Sequence, residues 1–427
     1  MNNSVYAALQ TGYTDPVRDV LWGHIYLTPA LAALTKSPPF MRLCRIFQLG
    51  PAYYVYPGAT HTRASHSIGV YHLARRLLIN LAERGAGAWI SPQGVHSFLC
   101  ASLLHDLGHF PYTHSLKELP LRAHEELTGQ IILAEPVKSL VAAAGADPYF
   151  TAAIVDAKLP GGKEGELQFY RKLLSGTLDP DKLDYLNRDA RYCGVPYGAQ
   201  DVDFILNRLQ PSPERGVDID SRGIPSVESI LFSKYLMYRT VYWHRSLRSA
   251  TAMIKKALLG GLEQGLIAKE ELYGLDDQSL FTLLASRSHP LFTLADKVRE
   301  GRLFSAAAEF PYDEGRHRGL GDIKNRSRYE AALREDILEA LGIRLLPEEL
   351  VIDVPEPISF ETGLYVKDEN CYFAEGSGAF KPETVDAFIK SLRIIRVFVD
   401  PVYEKRIKSS KALHEILHIR QKWLHLI

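Results

Sequence analysis

Histidine and aspartate are concentrated in one part of the chain, where together they could bind a metal ion. Eight of the 15 histidines lie within residues 61–124, and the run HDLGHFPYTH at 105–114 contains three of them and an aspartate. Imidazole and carboxylate groups form a ligand set suited to Mn, Fe, Ni, Co or Zn and compatible with Mg. Such an ion lowers the pKa of bound water and neutralises charge on a phosphoryl oxygen. The pattern therefore predicts a metal site able to act on phosphate esters.

The candidate ligands come from three separate segments. His105 and Asp106 are adjacent at the end of a predicted helix, so both side chains could reach one ion. His66, in the first turn of the preceding helix, could supply a third ligand. The fourth ligand is expected from an acid much further along the chain, and the segment TLDPDKLDYLNRDARYCG at 177–194 contains one in Asp181. A chance pairing of histidine with aspartate, or a charge effect at a helix end, is the alternative for 105–106 taken alone.

The segment that follows Asp179 is predicted to form an amphipathic helix, because Asp179 can cap a helix that has proline at its first position. At about 100° per residue, Asp181, Tyr185 and Asp189 fall within roughly 80° of one another. Lys182 flanks this polar stripe. The apolar positions of the opposite face are Leu183, Leu186 and Ala190. Taken alone, the stripe is better explained as a solvated helix face.

A second stripe is predicted on the longest helix candidate, residues 227–259, which contains neither glycine nor proline. Lys234, Tyr238, Tyr242 and Arg245 fall within roughly 80° of one another on such a helix. Two cations and two aromatic rings could hold phosphates and stack against a sugar or base. Aromatic core packing, with the charged ends of the long side chains reaching solvent, explains the stripe equally well.

The periodicity of apolar residues predicts a mainly α protein, with a helical core over 1–320 and a smaller α+β C-terminal lobe over 321–427. Apolar positions three and four residues apart indicate helices around 68–81 and 95–103. Further predicted elements are β-rich runs at 350–355 and 392–400 and a last helix at 412–426. These elements would bring the candidate ligands together inside the helical core.

Composition excludes some partners. Lysine plus arginine and aspartate plus glutamate both total 50, so the net charge is zero and nucleic acid binding has no support. No signal peptide is recognised at the N-terminus, and no run approaches the roughly 20 apolar residues that span a bilayer. The four cysteines are scattered, without metal-binding spacing. They are typical of a reduced, cytoplasmic protein.

Three segments of the chain resemble the HD-superfamily phosphohydrolases. They are QLGPAYYVYPGATHTRASHSIGV at 48–70, HDLGHFPYTH at 105–114 and DPDKLDYLNRD at 179–189. More narrowly, the chain resembles the deoxynucleoside triphosphate triphosphohydrolases (dNTPases), both the bacterial dGTPase-like enzymes and the SAM-and-HD-domain dNTPase, over about residues 20 to 260. A weaker similarity follows at IIRVFVDP, 394–401. No SAM domain is expected.

The resemblance implies a role for each matching residue. The implied ligands of one divalent metal ion, of unidentified element, are His66, His105, Asp106 and Asp181. The residues implied around the scissile phosphate are His109, His114 and His124. The implied substrate-binding residues are Gln48 and Leu49 beside the base and sugar, Arg63 and Lys182 on the phosphates, Tyr185 and Asp189 on the sugar, Tyr242 near the deoxyribose, and Lys234 at the position of a phosphate-binding arginine.

The resemblance further implies hydrolysis of a dNTP to a deoxynucleoside and inorganic triphosphate, in a homo-oligomer (dimer or tetramer) with a possible nucleotide effector site. Two departures concern the chemistry: Lys117 stands where an acidic residue is usual, with Glu118 or Glu125 as replacements, and Tyr238 stands where a histidine is usual. Two other functions remain open. One is an HD-type phosphodiesterase or nucleotidase acting on nucleoside monophosphates or cyclic nucleotides, and the other is a non-catalytic nucleotide sensor.

Overall fold

The computed structural model describes residues 3–161 and 165–408, and the chain is mainly α-helical as predicted. The α-helices of these ranges are α1 (Asn3–Gln10), α2 (Pro29–Thr35), α3 (Pro38–Leu43), α4 (Arg63–Glu83), α5 (Pro92–Leu104), α6 (His124–Ile132), α7 (Val137–Ala143), α8 (Pro148–Val155), α9 (Glu166–Leu174), α10 (Pro180–Cys193), α11 (Val202–Leu206), α12 (Ile224–Met237), α13 (Arg245–Glu263), α14 (Lys269–Leu272), α15 (Asp277–Ala285), α16 (Thr293–Arg299), α17 (Glu314–His317), α18 (Ile323–Leu341), α19 (Pro382–Leu392) and α20 (Pro401–Lys408). The helix predicted at 412–426 lies outside the described residues. None of the helices in the described ranges combines the length and apolarity needed to cross a bilayer.

The strands of the described ranges form three small sheets. They are β1 (Asp15–Asp19), β2 (Gly23–Leu27), β3 (Leu209–Ser212), β4 (Gly216–Ile219), β5 (Ser305–Pro311), β6 (Leu350–Asp353), β7 (Tyr365–Val366), β8 (Cys371–Tyr372) and β9 (Ile394–Val399). The first sheet is the β1–β2 hairpin, the second has the order β3-β4-β7-β8, and the third has the order β5-β9-β6. Strands β6 and β9 confirm the two β-rich runs that were predicted near the C-terminus.

Helices α4, α5 and α10 pack together and form the scaffold of the site. Asp179 caps α10 by accepting a hydrogen bond from Lys182 N, as predicted, and Thr62 caps α4 by accepting one from Ser65 N. The apolar positions that predicted α4 and α5, such as Leu73 and Leu99, are buried in one hydrophobic cluster. The helical periodicity at 68–81 and 95–103 was therefore interpreted correctly.

The prediction of one uninterrupted helix over 227–259 is wrong. After α12 the chain forms a π-helical turn over Tyr238–Tyr242, and His244 adopts an extended backbone conformation with ψ 136° before α13 begins. The His244 ring accepts a hydrogen bond from Ser246 N and so caps α13. A π-helical turn has hydrogen bonds between residues i and i+5 instead of i and i+4, so it changes which side chains share a face. Arg245 consequently lies beyond the break and is exposed, outside the predicted stripe.

Two of the three sheets combine strands from both sides of residue 320. Strand β5 pairs antiparallel with β9, and β4 pairs parallel with β7. The boundary between a helical core at 1–320 and a C-terminal lobe at 321–427 stays a prediction. The strands β3 and β4 were not predicted because each has only four residues, and β5 was not predicted because SAAAEFP lacks a clear alternation of apolar and polar residues.

Candidate active site

A short pairing of two segments positions the start of α4. Phe47 and Thr62 form an isolated antiparallel bridge, and Gln48 N donates to His61 O over 2.9 Å. The pairing brings the Gln48–Leu49 segment beside the first turn of α4, where Arg63 is buried. The Gln48 Oε1 atom is itself buried and has no hydrogen-bond partner among the described residues. A buried, unpaired acceptor next to the site could accept a hydrogen bond from a ligand.

The adjacent His105 and Asp106 follow the last residue of α5. The His105 Nδ1 atom lies 2.9 Å from Ser102 O, so the ring is anchored there and its Nε2 atom points elsewhere. Gly108 brings the start of α6 against this turn: a Cβ at Gly108 would lie 2.1 Å from His124 O. Only glycine permits this approach, which brings His124 towards the candidate ligands.

Three of the four predicted ligands form one group. Ligand atoms of His66, His105 and Asp181 all lie within 4.8 Å of one another. Asp181 Oδ1 is 2.9 Å from His66 Nε2 and 3.8 Å from His105 Nε2. The His105 Nε2 atom is buried and forms no hydrogen bond within the part of the chain that the structure describes. The Asp181 side chain is 36% exposed, so the group is open to solvent. Two imidazole nitrogens and a carboxylate oxygen converging in this way fit a divalent metal ion.

Asp106, the fourth predicted ligand, lies beside the group and connects it to other residues. Its Oδ1 atom is 3.3 Å from His105 Nε2, and its Oδ2 atom accepts a hydrogen bond from Arg63 over 2.8 Å. Burial opposes ionisation of Asp106, but His109, His105 and Arg63 outweigh it and hold its pKa well below the ordinary value. Arg63, for which the resemblance implies contact with the phosphates, is thus paired with a carboxylate, while its buried Nε atom has no partner within residues 3–161 and 165–408.

Asp184 is a buried residue of the site that was not predicted. Its Oδ2 atom lies 2.8 Å from His66 Nδ1, while Trp22 and Arg188 donate hydrogen bonds to the same carboxylate. Burial opposes protonation of His66, but Asp181 and Asp184 raise its pKa to about 10. A carboxylate on the far nitrogen of a metal-binding histidine orients the ring. The signal was the position of Asp184, one helical turn after Asp181 and four residues before an arginine.

Three histidines from two segments form a second cluster. The Nε2 atoms of His109 and His114 are 3.1 Å apart, and the ring centroids of His109 and His124 are 3.9 Å apart. Burial and then Arg63 hold the pKa of His109 well below its ordinary value, and burial lowers the pKa of His124 to about 4. His114 is exposed, so the cluster opens to solvent. His109 Nδ1 is 3.1 Å from Asp106 Oδ1 and thereby joins the two clusters.

Glu118 and Glu125 are the two carboxylates that could replace the acidic residue usual at the position of Lys117. One of them lies beside the histidine cluster. Glu125 Oε2 is 3.2 Å from His124 Nδ1. Glu118 instead forms ion pairs with Lys255 and Arg326. Glu125 is therefore the carboxylate available to the histidines.

Asp189 lies at the centre of a third group. It is buried between His61, whose Nε2 atom is 2.8 Å away, and Tyr242, whose hydroxyl donates over 2.7 Å. The rings of Tyr185 and Tyr242 are 6.5 Å apart between centroids. No role was predicted for His61, which is buried against Asp189. The interpretation of the α10 polar stripe as a solvated helix face is therefore wrong, because the stripe contacts α4 and the π-helical turn.

The two lysines expected on the phosphates are paired with acidic residues. Lys182 Nζ lies 2.7 Å from Asp179 Oδ2, and Lys234 Nζ lies 2.9 Å from Glu361 Oε2 and 2.7 Å from Ser359 O. Glu361 was not predicted as part of the site, because nothing in the local sequence indicates that this loop folds back onto α10 and α12.

Comparison with known protein families gives two matches. The HD domain family matches residues 63–146, and the HD associated region matches residues 201–422, about half of the chain. The first contains α4, the His105–Asp106 pair and the three clustered histidines. The second contains the π-helical turn and Glu361.

Individual relatives agree with the family matches. The protein YwfO of Bacillus subtilis is 36% identical over 225 residues, which cover 53% of this chain and 50% of that protein. The human deoxynucleoside triphosphate triphosphohydrolase SAMHD1 is 25% identical over 405 residues, which cover 82% of this chain and 63% of that enzyme. The chain spans about half the length of the first curated relatives that it matches. A solved phosphohydrolase from Bacteroides thetaiotaomicron has TM-score 0.68 and 25% identity, covering 90% of this chain and 99% of that one.

The helical fold with its adjacent histidine and aspartate defines an HD-domain protein. The chain belongs to the HD superfamily and resembles the HD-type phosphohydrolases, among them the dNTPases.

Proposed function

We propose that this HD-domain protein is a phosphohydrolase that converts a dNTP and water to a deoxynucleoside and inorganic triphosphate. The observation that carries the proposal is the position of Asp189 and Tyr242. The resemblance implies that both residues lie near the sugar. Tyr242 donates a hydrogen bond to Asp189, which lies on α10 together with Asp181 of the candidate metal group. The similarity to SAMHD1, which is named as a deoxynucleoside triphosphate triphosphohydrolase, supports the same substrate class.

In this proposal His66, His105, Asp106 and Asp181 hold one divalent metal ion. When bound, such an ion activates water and neutralises charge on a phosphoryl oxygen. Asp184 holds the His66 ring in place through the other ring nitrogen. Arg63 donates a hydrogen bond to Asp106 and, together with Lys182, offsets the negative charge of the phosphates.

The histidine cluster supplies the proton that the leaving 5′ oxygen requires. His114 is the proposed donor, because it is the exposed member of the cluster and a substrate could reach it. His109 orients it through the 3.1 Å contact between their Nε2 atoms, and His124 packs on the His109 ring. Negative phosphate charge beside His114 would favour the protonated imidazole. Glu125 supports His124 from outside.

The test is incubation of the purified protein with each of the four dNTPs and Mn or Mg, alone and in pairs, followed by ion-exchange separation of products. Deoxynucleoside and intact triphosphate are expected, and the variant Asp106→Asn should form neither. A matched control is Asp203→Asn, a change at an exposed aspartate that pairs with Arg76 and contacts none of the candidate ligands in the described structure. If no dNTP yields intact triphosphate while the wild-type protein is folded and metal-loaded, the proposal is wrong.

A second candidate function is hydrolysis of nucleoside monophosphates or cyclic nucleotides. The observation that favours it is Glu361, because its negative charge offsets part of the positive charge of Lys182 and Lys234. Fewer available cations suit a ligand with fewer phosphates. The same product assay, run with deoxynucleoside monophosphates and a cyclic nucleotide, separates the two functions.

The proposal extends to assembly and compartment. A dimer or tetramer, with a nucleotide effector site, follows from the resemblance, and size-exclusion chromatography with light scattering, with and without dNTPs, tests it. A cytoplasmic location is supported by the four cysteines, all of which are free thiols.

A further inference from the structure

Glu361 occupies the space between the two lysines assigned to the phosphates. Its Oε2 atom lies 2.9 Å from Lys234 Nζ and 4.0 Å from Lys182 Nζ. The two lysine side chains are only 7% and 14% exposed, so few other positions are open to a partner. A carboxylate oxygen presents the same negative charge and hydrogen-bond acceptor as a phosphate oxygen. An anionic ligand that binds both lysines must therefore replace Glu361.

The segment that carries Glu361 is anchored by other residues. It connects β6 to β7, and Ser359 O accepts a hydrogen bond from Lys234 while Ser359 Oγ donates to Glu361 Oε1. Phe360 is buried, with its ring centroid 6.3 Å from that of Phe388 on α19. The Glu361 side chain, in contrast, is 38% exposed. It can therefore rotate into solvent while Ser359 and Phe360 stay in place.

The two lysines differ in what they lose when Glu361 leaves. Lys182 keeps its 2.7 Å ion pair with Asp179. Among the described residues, Lys234 keeps only one hydrogen-bond acceptor, the uncharged Ser359 O. Its ammonium group would remain buried without a counter-charge, which is unfavourable unless a ligand supplies one. Replacement of Glu361 by phosphate is thus an exchange of one anion for another at Lys234.

We propose that Glu361 is an internal competitor for the phosphate groups of the substrate and that it sets the affinity of the site for polyphosphate. The inference rests on the proposed function, in which Lys182 and Lys234 bind phosphates. A ligand with several negative charges gains contacts with both lysines, so it displaces the single carboxylate. Glu361 thereby weakens binding without contacting the reacting atoms.

The test is calorimetric titration of the full-length, Mn-loaded protein with inorganic tripolyphosphate. Glu361→Gln removes the competing charge and should bind tripolyphosphate about threefold to tenfold more tightly than wild type, the range expected for a partly exposed ion pair. Glu383→Gln makes the same chemical change at an exposed position of α19 and should bind like wild type. The gain should disappear when Glu361→Gln is combined with Lys234→Met and compared with Lys234→Met alone.

Equal or weaker binding by Glu361→Gln overturns the inference, because the carboxylate would then be a structural partner of Lys234. Thermal denaturation establishes that each variant is folded, and Glu361→Ala serves if the glutamine variant is not. Direct binding keeps this inference separate from the proposed function. If Glu361→Gln binds tripolyphosphate more tightly but the protein hydrolyses no dNTP, the role of Glu361 is supported and the triphosphohydrolase function is overturned. If the protein hydrolyses dNTPs but Glu361→Gln binds tripolyphosphate like wild type, the function is supported and the role of Glu361 is overturned.

Discussion

The His66 ring is held from both sides, with Asp181 near Nε2 and Asp184 near Nδ1. If His66 binds a metal ion, Asp184→Asn should lower the affinity for Mn by about 10- to 100-fold, because the ring loses the charged partner that orients it. Titration against a competing chelator measures this change. The control Asp203→Asn should leave the affinity unaltered. Equal metal affinity in the two variants would show that Asp184 has no part in metal binding.

Tyr242 donates to a carboxylate that solvent barely reaches, since the Asp189 side chain is 3% exposed. Tyr242→Phe keeps the ring but leaves Asp189 with His61 as its nearest partner. The free energy of unfolding should fall by about 1–3 kcal/mol, the cost of losing a hydrogen bond to a buried charged group. Urea denaturation measures it, with Tyr372→Phe, a change at an exposed tyrosine, as the control. An unchanged stability would mean that water replaces the hydroxyl.

At the scale of elements, Gly108 fixes how closely α6 approaches the end of α5. Gly108→Ala would place a Cβ 2.1 Å from His124 O and 2.6 Å from Thr128 N, both of them backbone atoms. Helix α6 must then move, so stability should fall by about 1–3 kcal/mol or more and hydrolysis should fall with it. Gly321→Ala meets nothing within 4 Å and is the control for denaturation and activity assays. Full activity in Gly108→Ala would show that the position of His124 does not matter.

The elements differ in how well the sequence predicts them. Helices α4 and α10 begin at capping residues and carry apolar stripes, so local physics is enough to place them. The break between α12 and α13 at His244 is not predicted by the sequence, because no glycine or proline lies near it. Contacts across the chain, such as Glu361 on Lys234 and Asp184 on His66, depend on packing between distant segments. The four predicted ligands lie close together, whereas their partners could not be chosen from sequence.

At the scale of the whole molecule, buried ion pairs join the helical part to the C-terminal strands. Arg248 of α13 donates to both carboxylate oxygens of Asp353 in β6 and also to Glu356. Lys255 forms ion pairs with Glu356 and Glu118. Removal of one partner from such a buried network leaves an uncompensated charge. The network therefore ties the segment that leads to Glu361 to the same helix that follows the π-helical turn.

A chain that ends at residue 320 should consequently fail to fold, although 320 is the boundary that the sequence predicts. Strand β5 would lose its partner β9, and Arg248 would lose Asp353. Val351 and Phe398, which share a hydrophobic cluster with Met253 of α13, would also be absent, so buried apolar surface would face water. Circular dichroism during heating should show one cooperative transition for the full chain and none for residues 1–320. A cooperative transition of the shorter chain near the full-length midpoint would establish that the helical part is an independent domain.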